Sequence, residues 1–272
     1  MNRTEILAHI IEQARQGELI FPTNVHASIK IRQALDAPDC SIEHAAQLLI
    51  TEPLLAARLV AIANSVAYSR FGGGVTNVRT AISILGFSSL RAIVTSVVIR
   101  QLSQSITDPT LAAKANQLWE HTVHVAAIAH LLARKISHVE FETAMFAGIV
   151  HAVGGFYLLS RAQEFPELLE PTSDQTDAVI GHAVLKKLMV PKIVINAVEF
   201  LWAGVPEIPP SSLGGTLMLA KQLAKVRSPL ETNNPDSGDM DEPDFAVGDD
   251  TLKNIMHESE AEIHSLTSAL LN

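Results

Sequence analysis

Residues 52–69 read EPLLAARLVAIANSVAYS. Pro53 falls in the first turn of the run, where its missing N–H costs nothing. Leu54, Leu55, Leu59, Ile62 and Val66 recur at helical spacing, forming one apolar stripe and leaving Arg58 off it. Nothing in the stretch alternates with period 2. It reads as a helix, and the segments on either side follow the same rule.

Upstream, Ser41 caps SIEHAAQLLI, whose stripe is Ile42, Ala45, Ala46 and Leu49. In NVHASIKIRQALDAPDC, Val25, Ile29, Ile31 and Leu35 mark one face, and Asp36 to Pro38 ends it. Downstream, Gly72–Gly74 has no preceding strand and lacks the Lys and hydroxyl of a phosphate loop, so it reads as a turn. Thr76 or Asn77 caps the next helix, Gly86 ends it, and Ser88 or Ser89 starts another. Asp108–Pro109 breaks the chain before the long helix LAAKANQLWEHTVHVAAIAHLLARKI. Helical stretches follow at 140–162, 176–203 and 211–226, with Pro191 dividing the second.

The expected fold class is therefore all-α: two packed helical subdomains, 1–106 and 107–227. An acidic, Pro- and Asn-rich segment, 228–248, reads as a mobile loop, as does Gly72–Gly74. A final helix, 249–272, is expected to dock through Leu252, Ile255, Met256, Ile263, Leu266 and Leu270.

Composition fits this picture. Of 272 residues, 47% are hydrophobic and only 5% aromatic, so the core must be built from Ala, Leu, Ile and Val. The formal net charge of −9, with no basic cluster longer than Lys186–Lys187, argues against a nucleic-acid partner. The single Cys40 forms no intramolecular disulfide, as in a reducing cytosol. The N-terminal MNRTEILAHIIEQARQGELI is amphipathic, with Glu5 and Glu12, and does not read as a signal peptide. No uninterrupted apolar run approaches the length of a bilayer span, so a cytoplasmic protein without a membrane is expected.

Three histidines keep unusual company. His121 and His124 lie one turn apart on one helix, so that both rings can face one spot. His151 interrupts the apolar run MFAGIVHAVGGFYLL, and His182 opens HAVLKKLMV. Histidines on separate helices are how a bundle builds a metal site. A histidine on an apolar face is also a common core residue bonded to a backbone carbonyl. His26, His44, His130, His138, His257 and His264 read as surface or rim residues without a role.

The segments FPTNVHASIKIRQAL, SIEHAAQLLITEPLLAARLVAIANSVAYS and VTNVRTAISILGFSSLRAIV resemble the HD-related output domain (HDOD) family. The most specific features are an acid–Pro–Leu helix ending in Asn64–Ser65, then Ala–Ile and a Leu–Gly pair ending at Gly86. LWEHTVHVAAIAHLLARK and FAGIVHAVGGFYLL resemble the HD-type helical bundle of the second half, so the likeness spans about 20–226. The catalytic HD phosphohydrolases carry His followed directly by Asp at GIVHAVGG, and often a His–His pair near the end of VPKIVINAVEFLWAG. This chain has His151–Ala152 and Leu201–Trp202 at those places.

The resemblance implies a regulatory output module of bacterial signalling, without catalysis, cofactor or metal, partnered with receiver, cyclic-dinucleotide or kinase components. His121, His151 and His182 are then relic positions expected to lie close together, and Asn64, Ser65 and Gly86 a structural or partner motif. The competing expectation is a divergent metal-dependent phosphohydrolase using those three histidines with an acid such as Asp174 or Asp177.

Overall fold

The side chains that start and stop each helix are visible in the computed structural model, which describes residues 3–16, 18–19, 21, 26–71, 74–169, 176–204, 207–230, 244–248 and 250–271. In the first half, α1 (Arg3–Gln16), α2 (His26–Ala34), α3 (Ile42–Ile50) and α4 (Pro53–Ala63) precede a 3₁₀ turn at Val66–Phe71 and the long α5 (Val78–Gln104). The Ser41 hydroxyl accepts from the His44 N–H at 3.1 Å, and the Asn77 side chain accepts from the Thr80 N–H at 2.8 Å. Pro53 opens α4 as expected. Gly86 interrupts α5 at φ 75°, ψ 172°, a conformation that L side chains avoid.

Asp108 caps α6 (Pro109–Leu132), which runs into a π turn at Ala133–Ser137. Then come α7 (Phe141–Val150), α8 (Val153–Arg161), a 3₁₀ turn at Pro166–Leu169, α9 (Thr176–Lys187), α10 (Lys192–Ala203) and α11 (Leu213–Gln222). A two-stranded antiparallel hairpin, β1 (Ala246–Val247) and β2 (Asp250–Thr251), leads into α12 (Leu252–Glu258) and α13 (Glu260–Leu271). The architecture is all-α.

One hydrophobic core runs from Ile6 to Leu270. At its centre α6 packs against α7, α11 and α13, while α5 packs on α7 and α8. The α6–α7 contact is close because Gly148 has no side chain: a Cβ there would stand 2.4 Å from Cα of Ala126. Trp119, Phe156 and Tyr157 are the largest enclosed side chains. Two stretches, Val78–Gln104 and Phe141–Arg161, are by length and mean composition, though not by any uninterrupted apolar run, apolar enough to cross a membrane. Their most apolar windows are 67% and 78% buried inside the body, as in core helices.

Several boundaries differ from the sequence reading. The stretch 140–162 is two helices, because Ala152 leaves helical geometry at φ −100°, ψ 12°. The final helix is likewise broken, at Ser259. Its docking residues Leu252, Ile255, Leu266 and Leu270 are buried as expected. Val66 lies beyond the end of α4 and is 52% exposed, whereas Arg58, placed off the stripe, is only 8% exposed. Gly72, Gly73 and 231–243, on which expectations of mobility fell, lie outside the described residues.

Candidate functional site

The break after α7 shapes the site. His151 ends α7, and its Nδ1–H donates to the Gly148 carbonyl at 2.7 Å. From α6, His121 donates its Nδ1–H to the Val226 carbonyl at 2.7 Å. These bonds fix both rings with Nε2 pointing inward, and the two Nε2 atoms stand 3.4 Å apart. The rings meet edge to face. Both residues are buried.

With each Nδ1 committed to a carbonyl, the Nε2–Nε2 contact becomes a hydrogen bond only if one ring takes a second proton. Burial, then His121, push His151 down to about 3; the bond to Gly148 opposes this, and the charge of Lys221 adds to it. Neutral His151 therefore presents a lone pair to the cavity at physiological pH.

That cavity, of about 320 Å³, is lined by His121, His151, Ala152, Leu201, Trp202 and Lys221 among others. Its described lining includes no carboxylate. A divalent ion that activates water on a phosphate ester needs hard oxygen ligands beside imidazole. Two imidazoles and a lysine do not fit such a centre. Among the described residues no three His, Cys, Asp or Glu side chains come together as a metal site.

The expected convergence of three histidines is thus corrected to two. His182 lies apart from the cavity lining and donates from Nδ1 to Glu199 Oε1 at 2.6 Å, at the exposed edge between α9 and α10. The physical reason is Trp202. Its indole lines the cavity and presses on the backbone of Gly181, where a Cβ would meet the ring at 2.7 Å. The space toward α9 is filled. His124 does not share the spot with His121; it lines a different cavity with His257 and His264. His130, read as a rim residue, is 1% exposed, with its ring against Phe141. Asp174 lies outside the described residues, as does the side chain of Asp177.

Lys221 was missed by sequence reasoning. Nothing in LMLAKQL marks it, because its place in the cavity depends on how α11 docks on α6.

The Asn64–Ser65 and Gly86 motif sits at two bends in the first half of the chain. Asn64 donates from Nδ2 to the Val75 carbonyl and accepts from the Val75 N–H, both at 2.8 Å. Its side chain thus acts like a strip of backbone, tying the end of α4 to the start of the next segment. Ser65 is buried beside it, its N–H on the Ile62 carbonyl at 3.0 Å. Gly86 lets α5 change direction.

Comparison with known proteins places this geometry. A Shewanella amazonensis protein provisionally named a metal-dependent phosphohydrolase superposes with a TM-score of 0.68 at 21% identity, over 99% of each chain. An HDOD domain protein of unknown function from Geobacter sulfurreducens gives 0.57 at 21% identity, over 97% of this chain and 98% of that one. A Marinobacter aquaeolei protein, provisionally named for signal transduction, gives 0.56 at 17% identity, over 99% of this chain and 66% of that one. At such identities the likeness is one of fold. No curated protein sequence matches the chain. The HDOD domain family, however, matches residues 21–201, and with that span the chain belongs to the HDOD family.

Proposed function

We propose that this chain is a non-catalytic signalling module that acts by binding other proteins. One observation carries the reading: the cavity that holds His121 and His151 has Ala152 where the resemblance places a metal-ligating acid, and a lysine but no carboxylate in its described lining. Metal-assisted hydrolysis requires an ion that polarises the phosphate and lowers the pKa of a bound water. Ala152 cannot ligate, and the positive charge of Lys221, which already acts on His151, opposes a dication.

The partners this reading implies are receiver, cyclic-dinucleotide or kinase components in the cytoplasm. Residues 1–106 and 107–227 would serve as its two helical halves, 228–248 as an acidic loop and 249–272 as a helical brace. Asn64, Ser65 and Gly86 hold the first half in the shape a partner meets. The second reading, a divergent phosphohydrolase, draws support from the two Nε2 atoms aimed at one cavity.

An assay separates them. The purified chain is incubated with p-nitrophenyl phosphate, bis-p-nitrophenyl phosphate and nucleotides, with Mn²⁺, Mg²⁺ or Zn²⁺. We expect no turnover above the metal-only blank. Metal-dependent turnover that His151→Ala abolishes would replace the adaptor reading with the hydrolase.

A further inference from the structure

The protein pairs most of its enclosed arginines with acids. Arg32 and Arg91 share Asp36, Arg134 meets Glu262, and Arg161 meets Glu164. Arg58 departs from the pattern. It is 8% exposed, and its Nε and Nη1 are buried without a hydrogen-bond partner among the described residues. Its guanidinium carbon lies 5.9 Å from the centre of the Trp119 ring. A second arginine, Arg100, approaches the same ring at 5.8 Å. The indole Nε1–H of Trp119 is also buried and unpartnered.

The cluster therefore holds donors from α4, α5 and α6 and, among the described residues, no carboxylate in an ion pair with them. Arg100 is anchored by the Asn116 side-chain oxygen at 3.0 Å; burial pushes its pKa down, and exposed Glu120 opposes this in part. Arg58 has no such support: burial, then Arg100, push it down to about 10. An aromatic face returns only part of the hydration a buried guanidinium loses. Two like charges beside one indole are a costly arrangement that an anion would relieve.

We propose that Arg58, Arg100 and the Trp119 indole N–H bind the phosphoryl group of a small soluble phosphate. Guanidinium groups are the side chains best matched to phosphoryl oxygens. Two cations suit a group carrying nearly two negative charges at neutral pH better than a carboxylate carrying one. The donors come from three side chains on three helices, which suits a tetrahedral group with several oxygens. The ligand would join α4 and α5 to α6, and so the first half of the chain to the second. The inference stands whether or not the His121–His151 cavity is catalytic.

The chain has two tryptophans, so Trp202→Phe leaves Trp119 as the reporter. This protein is titrated with inorganic phosphate, acetate or chloride at matched ionic strength, reading tryptophan emission and melting temperature. Phosphate should give a saturable emission change and a higher melting temperature, and acetate and chloride neither. Arg58→Met should weaken phosphate binding about tenfold or more, as loss of a charged hydrogen-bond partner does. Without phosphate the same variant should melt no lower than its parent, since it removes an unpaired buried charge. Arg100→Gln carries the comparison if Arg58→Met does not fold. Absence of saturation with phosphate, or an unchanged midpoint in the variant, overturns the site. Equal saturation by acetate overturns the phosphoryl assignment.

Discussion

The Ser89 hydroxyl stands between two acceptors, donating to the Leu85 carbonyl at 2.8 Å while also bonded to the carboxyl of Glu142. A hydroxyl has one proton to give. The Ser89 proton therefore serves the Leu85 carbonyl or the Glu142 carboxyl at any one time, and a protonated Glu142 can donate to the Ser89 oxygen in its turn. Burial, then the neighbouring Glu140, push Glu142 up to about 7, and a hydrogen bond from the Ser89 backbone opposes them. A carboxylic acid that keeps its proton near neutrality thus ties α5 to α7.

Glu142 makes stability fall as pH rises. Its folded pKa is above the ordinary 4.5, so its contribution is complete below about 4.5 and is lost as pH climbs through about 7. Glu142→Gln keeps a donor for Ser89 and cannot ionise. We expect the variant to melt higher than the parent at pH 8 and to differ least near pH 4.5. Thermal melts across pH 4.5–8 check this; coincident profiles would refute the protonated acid.

His151 acts in the opposite sense. Its folded pKa of about 3 lies below the ordinary 6.5, so the unfolded chain binds the extra proton first. The contribution is complete above about 6.5 and is lost as pH falls from there toward 3. His151→Gln keeps a side-chain donor within the cavity and removes the titration. Measured by chemical denaturation, the variant should lose less stability than the parent between pH 7 and pH 5. A parent and variant of equal slope would mean that His151 titrates normally.

Asn64 is the third test. Removing its amide strands both the N–H and the carbonyl of Val75 in a part-buried setting. Asn64→Ala should cost about 1–3 kcal/mol of unfolding free energy. Asn64→Asp keeps the acceptor for the Val75 N–H but sets a carboxylate against the Val75 carbonyl, so it should fail to restore the loss. Urea melts of the three proteins decide it. A neutral Asn64→Ala would assign the residue to a partner surface rather than to the fold.

The helix starts at Ser41 and at Thr76 or Asn77 were legible because capping is local chemistry: Ser41 and Asn77 each accept from an N–H three residues on, as does Asp108, which sequence marked only as a break. Pro53 and Gly86 were legible for the same reason, since each restricts or frees its own backbone. The break at Ala152 was not. The glycines that suggest one, Gly154 and Gly155, lie inside α8, while the residue that turns is an alanine. The stripe rule also fails at Arg58, because it treats any charged side chain as outward and cannot see the indole of Trp119 packed across it. The nearness of His121 and His151 was an expectation from the family resemblance, whereas spacing alone paired His121 with His124. The outward turn of His182 needed the position of Trp202, a contact set by tertiary packing alone.

The last test concerns Ala152. It lines the cavity beside both imidazoles, so Ala152→Asp adds a hard oxygen donor next to two nitrogens whose Nδ1 atoms are already held. Such held imidazoles are good ligands, because the carbonyl partner fixes the ring and raises its basicity. The variant should bind Zn²⁺ or Mn²⁺ more tightly than the parent by calorimetry. Turnover should not return. Leu201 and Trp202 fill the wall where further ligands would sit, and Lys221 still opposes a second positive charge. Pairing Ala152→Asp with Lys221→Met should raise metal affinity again, by removing that repulsion. If Ala152→Asp alone gains metal-dependent phosphodiesterase activity, the missing carboxylate was the only defect, and the cavity is one substitution from an enzyme. If neither variant binds metal more tightly, the two rings are packed as core histidines, and the cavity is no remnant of a metal site.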